Sequence, residues 1–228
     1  MKLSVIVPVY NERELVVKSV NNLLDTDLGV EREVIIVDDG STDGTKEIIE
    51  SELESRVDKV LYLQKNQGKG AALRAGFAAA TGDFVIPHDA DMEYDPDDIP
   101  KLLEPVLKGR ADVVYGSRFT GPHRNMFFFH WIGNRFLTFV TNVLYNTTLS
   151  DMETCYKLIR RSLLEGMEIR SDRFGVEPEL TAKLLKKRVR IYEIPISYYG
   201  REFEEGKKIT WRDGFSALWM LIKYRFVD

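Results

Sequence analysis

The acidic side chains best placed to do chemistry stand directly after a hydrophobic run. The segment His88–Glu93 (HDADME) puts three acids at alternate positions, which an extended backbone points to one side. Such acids repel one another unless a cation lies among them, and their hard oxygens suit Mg²⁺ or Mn²⁺ held together with the phosphates of a ligand. We expect a metal site that favours Asp91 over Glu93. The alternative is a solvated acidic loop, because more acids follow in residues 95–98, where the next helix should begin.

Two further polar segments follow the first two hydrophobic runs. They are Val7–Glu12 (VPVYNE) and Val37–Thr45 (VDDGSTDGT). A carboxylate at such a point can accept from a ribose or base hydroxyl, and the small residues let backbone approach a ligand. We expect Asp39 to contact a nucleotide and Asp43 to cap the following helix, although the glycines could merely make the turn.

A short glycine-containing segment, Gln67–Gly70 (QGKG), precedes an alanine-rich stretch. Its backbone amides and the helix dipole could face a ribose or phosphate. The spacing is not that of a Walker loop. Two glycines that bring a helix tightly onto a sheet would explain the segment equally well.

Short β-branched runs alternate with helical patterns, which predicts a doubly wound α/β domain whose ligands bind beyond the carboxyl ends of its strands. The predicted strands are residues 4–9, 33–38, 59–64, 83–88 and 111–116. From about residue 126 a long aromatic-rich helix is expected, then a helix around 177–187, a strand at 189–199 and a last helix from Trp211. We see no linker or repeat and treat residues 1–228 as one domain.

Composition excludes several classes of protein. The 228 residues carry a formal net charge of −4, without the basic excess of a chain that grips nucleic acid along its length. The single cysteine, Cys155, excludes an internal disulfide framework and a multi-thiolate metal site, which suits a reducing compartment. We expect neither a signal peptide nor a membrane span, and take the cytoplasm as the location.

Several spaced motifs together resemble family 2 glycosyltransferases, which have the GT-A fold. The motifs are Val9–Glu12, Asp38–Ser41, Gly68–Gly70, Asp89–Asp91 and Gly116–Arg118, and the similarity covers nearly the whole chain. Within that family the chain looks most like the polyprenyl- or dolichyl-phosphate hexose synthases, through Asp151–Lys157 and Ile194–Arg201.

The resemblance implies a role for each matching residue. A nucleotide-sugar half, residues 1–118, would bind the nucleotide through Pro8, Tyr10, Glu12, Asp38, Asp39, Lys69, Gly70, Asp89 and Ala90. Asp89, Asp91 and Glu93 would hold Mg²⁺ or Mn²⁺ on the diphosphate, although related mannosyl enzymes often carry a neutral amide where Glu93 stands. Residues 119–228 would form an acceptor half. The donor diphosphate and the acceptor phosphate would be gathered by Arg118, Arg135 and Arg201, with Lys207 nearby, since arginine forks pair with phosphate oxygens.

The implied reaction is an inverting, metal-dependent transfer of a hexose from UDP-glucose or GDP-mannose to a polyprenyl or dolichyl phosphate. An anionic phosphate acceptor needs no general base, so the catalytic set would be Asp91, Arg118 and Arg201. A saccharide hydroxyl would need a base, for which Asp151 or Glu177 are candidates. Asp151 could instead cap a turn, and Glu177 could be a first-turn helix acid. The chain could also be a non-catalytic nucleotide-binding module or a nucleotidyltransferase.

Two apolar stretches bear on a lipid acceptor. They are the aromatic-rich segment 127–145 and the last helix, where tryptophans and phenylalanines recur at helical spacing beside Arg212, Lys223 and Arg225. Aromatic and basic residues together fit a membrane interface, so we expect peripheral contact at the cytoplasmic membrane face. The alternative is that both helices cover the sheet or make a contact between copies in a homo-oligomer.

Overall fold

A computed structural model describes residues 1–201 and 211–227, with the backbone alone for 211–213. Within this part of the chain the strands form one seven-stranded sheet in the order β3-β2-β1-β4-β6-β5-β7. Neighbouring strands run parallel except β6, which is antiparallel to both β4 and β5. The strand bounds are β1 Lys2–Val9, β2 Glu31–Asp38, β3 Lys59–Tyr62, β4 Phe84–Pro87, β5 Val113–Ser117, β6 Lys157–Arg160 and β7 Ile191–Pro195.

The central strands contain continuous hydrophobic runs, Val5–Val7 in β1 and Val34–Val37 in β2, because both faces of the sheet are covered. In β1, Val5 and Val7 pack into a cluster on one face while Ile6 packs into a cluster on the other. The same alternation continues in β2, where Ile35 and Ile36 face opposite sides. The predicted doubly wound mixed sheet is confirmed.

Helices lie on both faces and at one end of the sheet. Their bounds are α1 Val16–Asp25, α2 Thr45–Ile48 with a π-helical continuation Ile49–Leu53, α3 Lys69–Ala79, α4 Ile99–Leu107, α5 Phe128–Tyr145, α6 Val176–Lys186 and α7 Trp211–Phe226. Residues of α1 and α4 join the first hydrophobic cluster, and those of α3 and α6 join the second. A 3₁₀ turn, Pro96–Asp98, leads into α4 where the sequence predicts a helix start, and Asp95 caps it by accepting from the Asp97 amide.

Helices α5 and α7 form a third, smaller cluster with each other. Leu137 of α5 packs with Ala217 and Leu221 of α7 and with the fully buried Met152. Val140 and Leu218, which belong to the two apolar stretches that the sequence suggests for a lipid, also pack against this cluster. None of the helices in the described part of the chain has the length and apolarity that spanning a bilayer requires.

Candidate active site

Side chains that follow β1, β2, β4 and β5 converge at one edge of the sheet, as expected for the carboxyl ends of these strands. The acidic segment after β4 is not extended as the sequence suggests. Met92 has a φ of 63°, so the chain turns sharply between Asp91 and Glu93. The three acids therefore do not share one side, and each meets a different set of partners.

Asp89 is the first member of a row of alternating charges that runs from half-buried to buried side chains. Its Oδ2 lies 2.8 Å from Lys69 Nζ, and that nitrogen lies 3.3 Å from Glu177 Oε1. Glu177 Oε2 in turn lies 2.7 Å from the fully buried Lys157 Nζ. We call Asp89, Lys69, Glu177 and Lys157 the buried charge chain. The sequence suggests Glu177 as a first-turn acid of α6, and it lies there, but two lysines engage it.

Asp89 and Lys69 shift each other's pKa in the direction that favours the charged forms. Burial alone would raise the pKa of Asp89, but Lys69 lowers it below its usual range. Burial would likewise lower the pKa of Lys69, yet the nearby carboxylates hold it well above the ordinary value. Each charge is thus balanced by a neighbour within the protein.

Asp91 is in the opposite electrostatic situation. Burial and the negative charges of Asp89 and Glu93 raise its pKa to about 7, and the attraction of Arg201 only partly offsets them. One oxygen accepts from the Glu93 amide, and the other lies 3.0 Å from Arg201 Nη2. Such an excess of negative charge favours an added cation.

Mg²⁺ or Mn²⁺ fits this site in one particular way. Within residues 1–201 and 211–227, no three His, Cys, Asp or Glu side chains converge as a ready metal cage. The arrangement that fits is ligation by one or two carboxylates together with ligand phosphates. Asp91 suits that role best, because Arg201 only partly offsets the negative charge around it, whereas Lys69 lowers the pKa of Asp89 below its usual range.

Arg201 connects the strand ends across the edge of the sheet. Besides Asp91, its guanidinium lies 3.4 Å from both oxygens of Glu12, which follows β1. Burial would lower its pKa, but Asp91, Glu12 and Glu93 raise it above the usual value, so the side chain is a fixed cation. The sequence predicts phosphate binding here, and the structure places this arginine directly beside the candidate metal ligand.

Arg118, which follows β5, forms a buried fork with Asp151. Its Nε lies 2.7 Å from one carboxylate oxygen and its Nη2 lies 2.8 Å from the other. The Arg118 amide donates to the same carboxylate at 3.0 Å. Asp151 is fully buried, so neither the turn cap nor the general base suggested for it fits this geometry. It orients Arg118 instead.

The carboxylates after β2 behave differently from each other. Asp39 Oδ1 accepts from the Gln67 amide and Oδ2 from the Gly68 amide, so it holds the glycine segment. Burial raises its pKa despite these bonds. Asp38 Oδ2 accepts from the Ser41 amide, whereas its buried Oδ1 has no hydrogen-bond partner among the described residues. Asp43 accepts from the amide and the hydroxyl of Thr45, but the N-cap position of α2 is Gly44, so Asp43 holds the turn before the helix and is not its cap.

The glycines around Lys69 pack against a later loop rather than against the sheet. A Cβ on Gly70 would lie 2.0 Å from the Ser171 carbonyl oxygen, and one on Gly68 would lie 2.4 Å from that of Asp172. Gly68 also has a φ of 103°. The residue that lets α3 approach the sheet is Gly76, where a Cβ would meet Ile6 at 2.2 Å.

The remaining residues of the expected nucleotide set lie at the same edge. Pro8 and Tyr10, at the end of β1, are half-buried, and Ala90 is buried between the two aspartates. Their contacts with a nucleotide stay predictions, as do those of Glu12, Asp38, Asp39, Lys69, Gly70 and Asp89.

A cavity of about 250 Å³ opens next to Arg201, and we call it the arginine pocket. Among its lining residues are Arg118, Arg124, Met126, Phe127, Asn134 and Arg201. Arg135, which the sequence assigns to phosphate, is exposed, donates to the Ser150 carbonyl and does not line the cavity. Lys207 lies outside the described residues. Arg124 and Asn134 are not expected from the sequence, although an arginine six residues after Arg118 is a usable signal.

Comparison with known proteins places the chain in a family. The model of glycosyl transferase family 2 matches residues 4–167. A dolichol-phosphate mannosyltransferase of Pyrococcus furiosus is 31% identical over 212 residues, covering 91% of this chain and 59% of that protein. A UDP-N-acetylglucosamine–dolichyl-phosphate N-acetylglucosaminyltransferase of Methanococcus voltae is 29% identical over 238 residues, covering 95% and 93%. This chain thus spans less than two thirds of the Pyrococcus protein.

Solved structures agree on the fold. Glucosyl-3-phosphoglycerate synthase from Mycobacterium tuberculosis, in complex with Mn²⁺, UDP and glucosyl-3-phosphoglycerate, superposes with a TM-score of 0.73 at 21% identity. That alignment covers all of this chain and 81% of the synthase. Another structure of the synthase, with Mg²⁺ and UDP, gives 0.72 at 21%. The sheet order, the strand-end carboxylates and these matches lead to one conclusion: the chain has the GT-A fold and belongs to glycosyl transferase family 2.

Proposed function

We propose that this chain transfers a hexose from a nucleotide sugar to a polyprenyl or dolichyl phosphate, with inversion and with a divalent cation. The observation that carries the proposal is the position of the arginine pocket. Arg201 lines the pocket and also contacts Asp91. Phe127 lines it as well and directly precedes α5, whose aromatic side chains are exposed. A phosphate on an apolar tail matches both the arginines of the pocket and the aromatic side chains beside it.

The donor half of the proposal is supported by the strand-end carboxylates. Glu12 follows β1 and Asp38 ends β2, at the edge of the sheet where ligands of this fold class bind, and carboxylates there can accept from hydroxyl groups. The Methanococcus relative is named for UDP-N-acetylglucosamine, and the Mycobacterium neighbours were crystallised with UDP. We therefore test UDP-sugars alongside GDP-mannose.

Asp91, with Asp89 behind it, would hold Mg²⁺ or Mn²⁺ against the donor diphosphate. When bound, the cation would stabilise negative charge on the departing diphosphate. Arg201 adds a fixed positive charge beside the same position, and its fork is suited to paired bonds with phosphate oxygens.

The acceptor is proposed to be a phosphate because both candidate bases are engaged elsewhere. Asp151 is sealed beneath Arg118, and Glu177 lies between Lys69 and Lys157. A hydroxyl acceptor would need one of them to take a proton, whereas a phosphate is already anionic at neutral pH. Arg118 and Arg124 would orient that anion for a single displacement, which inverts the anomeric carbon.

An aromatic surface on two neighbouring helices is proposed to hold the lipid tail and the membrane. It consists of Phe128, Phe129, Trp131, Phe136 and Phe139 of α5 with Phe215, Trp219, Ile222 and Phe226 of α7. Phe129 is 85% exposed and Trp219 61% exposed, and Lys223 and Arg225 stand in the last turn of α7. Exposed aromatic area beside basic residues suits peripheral binding to an anionic lipid surface.

The test is product analysis with labelled UDP-glucose, UDP-N-acetylglucosamine and GDP-mannose, each with undecaprenyl or dolichyl phosphate and with Mg²⁺, Mn²⁺ or a chelator. We expect metal-dependent label in the organic extract. Label in a water-soluble saccharide would favour the hydroxyl-acceptor alternative, and released pyrophosphate would favour a nucleotidyltransferase. Nucleotide binding without any transfer would indicate a binding module.

A further inference from the structure

Glu93 uses its carboxylate to hold a distant segment of the chain. Its Oε2 accepts from the Tyr198 hydroxyl at 2.8 Å, and its Oε1 accepts from the Arg201 amide at 2.8 Å. Its backbone carbonyl accepts from the Tyr199 amide at 2.9 Å. The same Oε1 also lies 3.9 Å from Arg201 Nε, so both oxygens of the carboxylate are directed at this segment. One residue therefore fixes three groups of the segment 198–201.

The held segment supports the two arginines that matter most to the arginine pocket. Arg201 reaches Asp91 at 3.0 Å from a backbone amide that Glu93 holds. The Tyr198 ring lies 5.2 Å from the Arg118 guanidinium, so it supports the second arginine by a cation–π contact. Neighbouring Tyr94 braces the ring of Tyr198 in an edge-to-face contact at 5.5 Å.

We propose that Glu93 is a positioning residue: its carboxylate latches the segment 198–201 onto the strand-end loop and so sets Arg201 and Arg118, rather than acting as a third ligand of the divalent cation. The step from latch to phosphate binding rests on the proposed function, since the arginines are taken there to bind the donor and acceptor phosphates. The latch itself is a property of the protein without any ligand.

Three substitutions separate a latch from a metal ligand. Glu93→Ala removes every side-chain bond of the latch. Glu93→Gln keeps them, because the amide oxygen can accept from the Arg201 amide while the amide nitrogen donates to the Tyr198 hydroxyl. Tyr198→Phe removes one bond and leaves all three acids intact. Tyr192→Phe, on the exposed edge strand β7, is the matched control.

The first measurement is hydrogen exchange of the amides in residues 196–201 in the ligand-free protein. We expect clearly faster exchange at Tyr199 and Arg201 in Glu93→Ala, a smaller increase in Tyr198→Phe, and near wild-type exchange in Glu93→Gln and Tyr192→Phe. Unchanged exchange in Glu93→Ala would overturn the latch whatever the protein's activity. If Glu93→Ala does not fold, unchanged exchange in Tyr198→Phe would overturn the latch instead.

The second measurement is calorimetric binding of UDP with Mn²⁺, alongside the KM for the phosphate acceptor. We expect UDP–Mn²⁺ affinity in Glu93→Ala to stay within about threefold of wild type while the acceptor KM rises about tenfold or more, because small displacements of a positioning cation are costly. Glu93→Gln should restore most of that KM. Loss of Mn²⁺-dependent UDP binding in Glu93→Ala, with Tyr198→Phe normal, would make Glu93 a metal ligand whether or not Glu93→Gln retains binding. A wild-type protein that binds no nucleotide would refute the proposed function while leaving the exchange result to decide the latch.

Discussion

The buried charge chain and the arginine pocket use the same kinds of side chain at the same edge of the sheet. In the buried charge chain each lysine contacts a carboxylate, and Lys157 is fully buried. In the arginine pocket the cations Arg118 and Arg201 are also paired, but they line a cavity of about 250 Å³. Pairing alone therefore does not separate the Lys157–Glu177 pair, which lies inside the protein, from the charges that line a cavity. What separates them is whether the remaining hydrogen-bonding capacity faces a space that a ligand can enter.

The largest effect is expected where charge is least balanced. Asp91→Asn should lower turnover by at least about 10³-fold, because it removes the carboxylate that would hold the cation and the partner of Arg201. Initial rates with saturating Mg²⁺ or Mn²⁺ measure the loss, and melting curves show whether the fold persists. Asp97→Asn, in the exposed turn before α4, is the matched control and should stay near wild type. Turnover that survives a chelator would contradict the metal assignment.

The two arginines of the pocket should differ in stability more than in rate. Arg118→Ala and Arg201→Ala should each lower turnover on the order of 10²-fold, since each removes a charged donor to an anion. Arg118→Ala should also lower the free energy of unfolding by about 3–5 kcal/mol, because it leaves Asp151 buried without its partner. Denaturant titration measures this second effect.

A lysine substitution tests whether charge alone explains the effect of these arginines. Arg201→Lys keeps the charge but loses the fork, so it should recover little activity. Near-normal rates in both alanine variants would remove these arginines from the site.

The aromatic surface offers a smaller effect that depends on the acceptor. The double variant Phe215→Ser/Trp219→Ser should lower turnover of a long-chain polyprenyl phosphate by about tenfold or more, since burying one large apolar side chain contributes ~1.5–3 kcal/mol. Turnover of a short, water-soluble phosphate should change little. Leu107→Ser/Tyr192→Ser removes exposed apolar area elsewhere and is the control. Equal losses on both acceptors, with a lower melting temperature, would mean that the helix is part of the core.

The smallest effect concerns Glu153, whose pKa is influenced by charges of both the buried charge chain and the arginine pocket. Burial raises its pKa to about 7 against 4.5 for an ordinary glutamate, with Lys157 opposing and Glu177 adding to the shift. Between pH 4.5 and 7 the unfolded chain releases this proton while the folded protein keeps it, so the contribution of Glu153 to stability falls as pH rises through that window. Glu153→Gln should therefore raise the free energy of unfolding by about 1–3 kcal/mol at about pH 8 and by little at about pH 5.

The control for that pH dependence is Glu14→Gln, which changes an exposed carboxylate. Chemical denaturation of both variants at about pH 5 and about pH 8 provides the comparison. An equal change at the two pH values would contradict the raised pKa of Glu153.

The sheet and the edge at which the site lies could be predicted from the sequence. Runs such as Ser4–Val9 and Glu33–Asp38 are apolar at successive positions, which requires cover on both faces and so a doubly wound arrangement. The acids that follow those runs must then collect at the carboxyl ends. Spaced motifs supplied the family, and its match over residues 4–167 confirms it.

The part that each charged residue plays depended on contacts that arise only in the folded chain. Arg201 meets Asp91 across 110 positions of sequence, and Glu177 meets Lys157 across 20 positions. Sequence shows that Asp151 and Glu177 carry carboxyl groups, yet only the packing of Arg118 and Lys157 against them shows that both are occupied. This is because burial and charges within a few ångströms set the role of an ionisable group, and the fold supplies those neighbours from distant parts of the chain.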